Sequence, residues 1–389
     1  MCSQNPVFIP GPTNIPETLR KAVDMPTLDH RSSAFADILL PAREGVRKVL
    51  QSTEAEVFLF PATGSGGWET AITNTLSPGD KVLAGRNGMF STKWIDMCQR
   101  HGLEVEVLDA DWGEGLPVAD YAKALTADKS HQIKAVLATH NETATGVKSD
   151  IAAIREAMDD TDHPAMLLVD GVSSIGSMDF RMDEWGVDIA VTGSQKGFML
   201  PAGLAIVGFS PKAMEAVESA GLARAYFDIR EMAKGYQANG YPYTPSVGML
   251  SGLKLASEML LSEGLENVFA RHTRIAEGVR RAVTAWDLSL CARSPELYSD
   301  TVSAIMLPEG IDGNALCAHA QDKYDVAFGA GLGQVAGKLF RIGHLGQLSD
   351  VLALTGIATA EMCLADFGVN ITLGSGVAAA QEYYRNCSA

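Results

Sequence analysis

"AVTGSQKGFMLPAGLAIVGF" occupies Ala190–Phe209 and contains one lysine, Lys196. An apolar run, "DIAVT" (188–192), leads into it, a Gly-Ser turn follows, and a second apolar run, "LAIVGF" (204–209), leads out. Both runs are short, aliphatic or β-branched, and bounded by glycine, so they read as buried strands. An ammonium is costly to desolvate, and Lys196 has no acidic neighbour in sequence to pair with. A surface lysine in a loop is the plain alternative. The other is a lysine whose proton affinity burial has lowered, able to act as a nucleophile.

Five similar runs precede these two: "EVFLF" (56–60), "KVLAG" (81–85), "EVEVL" (104–108), "KAVLAT" (134–139) and "AMLLVD" (165–170). Amphipathic stretches lie between most of them, such as "SDIAAIREAMDD" (149–160), whose Ser149 and Asp150 suit a helix start. Strands buried on both faces and joined by helices predict an α/β domain with a mainly parallel sheet. After "YPYTPSVGML" (241–250) the pattern changes. Helical segments run from about 251 to 286, followed by the sparser strands "TVSAIML" (301–307) and "KLFRIGHLG" (338–346). The expected division is a large domain over residues 1–255 and a smaller C-terminal α+β domain over 256–389.

The 389 residues carry a formal net charge of −16 without a basic cluster, which argues against nucleic acid or an anionic membrane as partner. Small anionic substrates respond to the few charges of one pocket and are not excluded. The six cysteines, Cys2, Cys98, Cys291, Cys317, Cys363 and Cys387, are scattered, as reduced thiols in the cytoplasm would be. No Cys/His spacing suits a metal. "MCSQNPVFIPGP" has no basic region followed by an apolar core, and no apolar run reaches the ~18 residues of a membrane span. The expectation is a cytoplasmic protein.

Ligands of open α/β sheets bind outside the carboxyl ends of the strands, and the unusual residues cluster there. After 56–60 come Thr63, Gly64, Ser65, Gly66 and Gly67, a glycine-rich turn with a helix expected to begin near Trp68. Its free N–H groups and hydroxyls suit a phosphate, or simply a helix start. Asp170 ends "AMLLVD" and reads either as a cap or as a buried carboxylate facing a cationic ring nitrogen. Lysine, carboxylate and phosphate cradle are the three parts that a pyridoxal phosphate site requires, and they occur here in one chain. Phe90, in "RNGMFS", suits ring stacking or a core. Arg341, in "FRIGHLG", offers a fork for a substrate carboxylate or a structural ion pair.

At these residues the chain resembles the class V aminotransferases of pyridoxal-phosphate fold type I, specifically the serine–glyoxylate and alanine–glyoxylate branch. The resemblance rests on "FIPGPTNIPE", "FPATGSGGWETAITNTLSPGDKV", "THNETATGVKSD", "LLVDGVSSIGSMDFRMDEWGVDIAVTGSQKG", "YPYTPSVG", "EGLENVFARH" and "VAGKLFRIGHLG", in the family's order. It implies Lys196 as the Schiff-base lysine and general acid/base, and Asp170 as partner of the pyridine nitrogen. It implies Thr63, Gly64, Ser65 and Gln195 at the phosphate, Phe90 stacked on the ring, and Thr143 near the ring oxygen. Tyr241 and Thr244 would reach the phosphate of a neighbouring subunit, hence a homodimer with shared sites. Arg341 would bind the substrate α-carboxylate, with Gly11 and Pro12 of the "PGPTN" turn lining the pocket. The implied reaction moves the amino group of an L-amino acid to glyoxylate by a ping-pong mechanism, giving glycine and a 2-oxo acid.

Serine is the favoured donor on this reading, aspartate the alternative, and alanine a third. A second substrate carboxylate would need a second cation, for which "DHRSS" offers His30 and Arg31. A cysteine desulfurase would carry histidine where Gln195 stands and would need a mobile nucleophilic cysteine, whereas Cys317 and Cys363 lie in helical patterns. Phosphoserine aminotransferase fits "HNETATG" and "DFRMDEWGVD" less well. A non-catalytic module of this fold would have lost Lys196 or Asp170. The ending "RNCSA" is not a peroxisomal address.

Overall fold

In the computed structural model, which describes residues 6–387, each of the seven apolar runs is a strand, with its ends moved by at most one residue. Cys2 and the first five residues of "MCSQNPVFIPGP" lie outside the described residues. The strands form one sheet in the order Glu56–Phe60, Ala205–Phe209, Ile189–Gly193, Met166–Asp170, Ile133–Thr139, Lys81–Arg86, Glu104–Asp109. Ala205–Phe209 runs antiparallel to both its neighbours, and the remaining pairs are parallel. Met166–Asp170, Ile189–Gly193 and Ala205–Phe209 are buried along their whole length, which is why they read as continuous apolar runs rather than alternating ones. Helices cover the sheet. The helix Ile151–Asp160 starts where the sequence suggests, with the Asp150 carboxylate accepting from the Ala153 N–H at 2.9 Å. The chain therefore has the mixed α/β architecture with a mainly parallel sheet that its sequence predicts.

The glycine-rich stretch differs from expectation. It is the first turn of the helix Gly64–Thr75, not a turn preceding Trp68. A Cβ on Gly64 would lie 2.5 Å from Val172 and one on Gly67 2.6 Å from Val191. These glycines let the start of a helix press onto the sheet.

A second sheet runs Val7–Phe8, Ala327–Ala330, Leu339–Gly343, Val302–Met306. "TVSAIML" and "KLFRIGHLG" supply its two longer strands. Val7–Phe8 and Ala327–Ala330 gave no sequence signal, being two residues long and poor in β-branched residues respectively. Val7 and Phe8 pair in parallel with Ala327 and Phe328, so the N-terminal segment begins on this second sheet. The helical region after residue 246 splits at Gly264, whose φ of 85° ends Val247–Glu263 before Leu265–Ala285 begins. Leu253 and Leu260 pack with the large sheet, and Ile275 onward packs with the second. Cys363 is buried in the helix Asp350–Asp366, and Cys317 is half-buried in Gly313–Tyr324.

Three histidines are buried, each pushed down to about 3 chiefly by burial. His272 donates from Nδ1 to the Val268 carbonyl and accepts the Gly346 N–H at Nε2. His344 donates to the Asp300 carbonyl and accepts from the Ser303 hydroxyl, and His140 bonds Ser174 at 2.8 Å. A neutral histidine in the fold and an ordinary one in the unfolded chain favour folding above about pH 6.5. That contribution falls by about 1.4 kcal/mol per histidine for each pH unit below it. The stability advantage of wild type over His272→Gln in urea unfolding is therefore expected to shrink by about 1.4 kcal/mol per unit from pH 6 to pH 4. A constant advantage would contradict this.

Candidate active site

The carboxyl ends of the sheet strands gather the candidate residues along one edge. Lys196 follows Ile189–Gly193, Asp170 ends the adjacent strand Met166–Asp170, and Thr143 follows Ile133–Thr139. Phe90 follows Lys81–Arg86, and Thr63 follows Glu56–Phe60.

Lys196 is half-buried, and its Nζ donates to the Pro10 carbonyl. Burial and the nearby charge of Arg341 lower its proton affinity to about 8, with Asp170 opposing. The N-terminal segment crosses Lys196 closely: a Cβ on Gly11 would lie 2.6 Å from Nζ, and Gly11 itself has φ +94°. Asn14 holds this strap by accepting from the Val7 N–H at 2.9 Å and donating to the Val7 carbonyl at 2.8 Å. The Thr13 N–H donates to the Gln195 carbonyl at 3.2 Å. Pro12 is exposed beside it.

Asp170 is buried, and burial raises it to about 7. The Val172 N–H opposes this by donating at 2.9 Å, and the charge of Glu142 reinforces it. A carboxyl held this way favours a cationic partner that the protein itself supplies only weakly, through Lys196. At the helix Gly64–Thr75, the N–H groups of Gly64, Ser65 and Gly66 have no carbonyl within the helix. Thr63 and Ser65 are exposed beside them. The Oε1 of Gln195 is buried with no partner among the described residues. A Cβ on Gly193 would meet both Gln195 Oε1, at 2.9 Å, and the Gly64 nitrogen, at 3.4 Å. Unpaired N–H groups at a helix start are donors able to hold an anion.

Phe90 is half-buried and meets Trp68 edge-on, with ring centroids 6.5 Å apart at 64°. Thr143 is buried, with its hydroxyl 3.3 Å from that of Ser173. Arg341, 7% exposed on the second sheet, donates from Nε to the Ala330 carbonyl and from Nη1 to the Thr143 carbonyl, each at 3.0 Å. Among the described residues no carboxylate forms an ion pair with it, and burial lowers it to about 10. The guanidinium is thus held by carbonyls, and the nearby charge of Glu142 opposes the effect of burial.

Other candidates lie apart. The Tyr241 hydroxyl donates to the Leu59 carbonyl and Thr244 is exposed; neither bonds to the residues around Lys196 in its own chain. His30 is half-buried and Arg31 exposed, in a turn where the Arg31 N–H donates to Asp29 at 2.9 Å. Sequence reading missed Glu142. Its signal was an acidic residue inside "THNETATGV" (139–147), a stretch that is buried throughout.

The pattern described as Aminotransferase class-V matches residues 19–340. The chain belongs to the class V aminotransferase family. This class V chain is 72% identical over 389 residues to the L-aspartate–glyoxylate aminotransferase of Paracoccus denitrificans, covering 100% of this chain and 98% of that one. It is 54% identical over 380 residues to the serine–glyoxylate aminotransferase of Hyphomicrobium methylovorum, covering 97% and 94%. Among solved structures, pyridoxamine–pyruvate aminotransferase from Mesorhizobium loti superposes with a TM-score of 0.91 at 28% identity, covering 98% of this chain and 97% of that one. Like its family, the protein is an aminotransferase.

Proposed function

We propose that this aminotransferase uses pyridoxal 5'-phosphate to move the amino group of a small L-amino acid to glyoxylate, releasing glycine and a 2-oxo acid. The observation that carries the reading is the placing of an amine, an under-compensated carboxyl and a set of free N–H donors along one sheet edge. The residues fit the cofactor: the Gly64, Ser65 and Gly66 N–H groups are unpaired donors for a phosphate, and Asp170 is a buried carboxyl suited to a cation.

When bound, the cofactor supplies the electron sink that makes the donor Cα–H acidic. Lys196 anchors it and, once its amine is free, carries the proton from Cα. Its lowered proton affinity keeps a useful fraction of neutral amine near pH 8. Asp170 keeps the ring nitrogen cationic. Thr63, Gly64, Ser65 and Gln195 hold the phosphate, Phe90 flanks the ring, and the Thr143 hydroxyl serves the ring oxygen. Arg341 binds the α-carboxylate, with Gly11 and Pro12 closing the pocket. Tyr241 and Thr244 serve the phosphate of a partner subunit, which makes the active form a homodimer. Small molecules are the only partners that this chemistry needs, and a reducing, cytoplasmic setting suits its free thiols.

Serine and aspartate are both donors on this reading. Serine is the donor named for the Hyphomicrobium relative, whereas the 72% identity to the Paracoccus enzyme favours aspartate. Aspartate brings a second carboxylate, and His30 and Arg31 remain the residues proposed for it. The deciding assay incubates the loaded enzyme with glyoxylate and, separately, aspartate, serine or alanine, and measures glycine and the 2-oxo acid formed. Stoichiometric glycine with oxaloacetate or hydroxypyruvate is expected. Glycine from none of the donors would overturn the proposal.

A further inference from the structure

Glu142 is fully buried at 0% exposure, in the short hairpin that also carries Thr143. We infer that Glu142 is a positioning residue: its carboxylate serves as the missing cap of the helix Met89–Arg100 and so fixes Phe90 against the cofactor. The inference rests on the proposed function in one respect, that Phe90 flanks the cofactor ring.

The helix Met89–Arg100 begins after Gly88, which has no side chain to accept from its first N–H groups. Glu142 Oε2 takes that place from a distant strand end. It accepts from the Phe90 N–H at 2.9 Å, the Ser91 N–H at 3.1 Å and the Ser91 hydroxyl at 3.3 Å. Oε1 accepts from the Ala144 N–H at 3.1 Å. Glycine is what admits it, since a Cβ on Gly88 would lie 2.7 Å from Oε2. A carboxylate at a helix N-terminus makes charge-assisted bonds that the helix dipole reinforces. Burial pushes the Glu142 carboxyl up, and the donors from Ser91, Ala144 and Phe90 pull it back.

The residue held most directly is Phe90, through its own N–H. The next residue along the hairpin, Thr143, takes the Arg341 guanidinium on its carbonyl at 3.0 Å. One hairpin therefore ties the aromatic wall of the pocket to its carboxylate-binding arginine. The Glu142 carboxylate also raises Asp170.

Two measurements test this. In the cofactor-free wild-type protein, hydrogen exchange at single-residue resolution is expected to protect the Phe90 and Ser91 amides at least about 10-fold more than the first-turn amides of Ser65 and Gly66, which no side chain caps. Equal exchange would overturn the cap without any variant having to fold. Second, Glu142→Gln is expected to raise the dissociation constant for pyridoxal phosphate about 10-fold and to weaken the induced circular dichroism of the bound cofactor. In a Phe90→Ala background the same change is expected to move the constant less than about 2-fold, because the route through Phe90 is gone. Additive losses would overturn the positioning role in favour of a general structural one. If Phe90→Ala alone leaves the affinity unchanged, the placement of Phe90 fails and the inference with it. If Phe90→Ala weakens binding and Glu142→Gln does not, the role of Glu142 alone is overturned.

Discussion

Lys196→Ala is expected to lower the rate of glycine formation by at least about 10⁴-fold, because a positioned acid/base contributes about 10²–10⁴ and covalent anchoring is lost with it. The fold is expected to survive. The substitution removes one hydrogen bond, to the Pro10 carbonyl, worth about 1–2 kcal/mol. Lys196→Arg separates chemistry from anchoring. It retains a cation able to reach the strap, yet it has no amine that neutralises near pH 8, so it is expected to be as inactive as the alanine variant. Steady-state rates beside far-UV circular dichroism and unfolding curves check both. An arginine variant with more than a few per cent of wild-type activity would show that Lys196 only holds the strap.

Asp170→Asn is expected to act in opposite directions on activity and on the stability of the cofactor-free protein. Removing one partner of a buried charge pair costs about 3–5 kcal/mol, so kcat/KM is expected to fall about 10²–10⁴-fold. Without cofactor the carboxyl has only the weak opposing charge of Lys196. Its rise from 3.8 to about 7 means that the folded state favours the protonated form. That contribution is complete below about pH 4 and is lost as pH rises through 7, leaving the ionised group to destabilise the fold by about 4 kcal/mol. Asparagine avoids this and still accepts the Val172 N–H. The cofactor-free variant is therefore expected to be more stable than wild type at pH 8, with the difference disappearing towards pH 4. Denaturant unfolding at the two pH values measures it, and a variant less stable at pH 8 would contradict the placement. This is stability given up for function at one residue.

The large sheet was legible in the sequence because its strands are buried on both faces. Continuous aliphatic runs such as "LLVD" and "AIVGF" have no soluble alternative, and the loops that follow them are where ligands bind. The same logic singled out Asp170, the last residue of such a run, and Lys196 and the glycine-rich stretch, a few residues beyond one. What escaped depended on contacts distant in sequence. Val7–Phe8 is too short to carry a period and exists because Ala327 and Phe328 offer an edge. The first turn of the helix at Gly64 could not be told from a loop because the close approach of Val172 to Gly64 and of Val191 to Gly67 exists only in the folded chain. Glu142 escaped because its partners, Phe90 and Ser91, lie about 50 residues away and meet it only in the folded chain.

The most direct test of the whole account is a pair of half-reactions on the purified, pyridoxal-phosphate-loaded protein. Aspartate, serine or alanine is added alone while the visible absorption of the lysine-linked cofactor is followed, and glyoxylate is added afterwards. Loss of the band with aspartate or serine, its return with glyoxylate, and one glycine per site are the expected result. A protein that takes up no cofactor, or whose absorption is indifferent to every donor, would contradict the account.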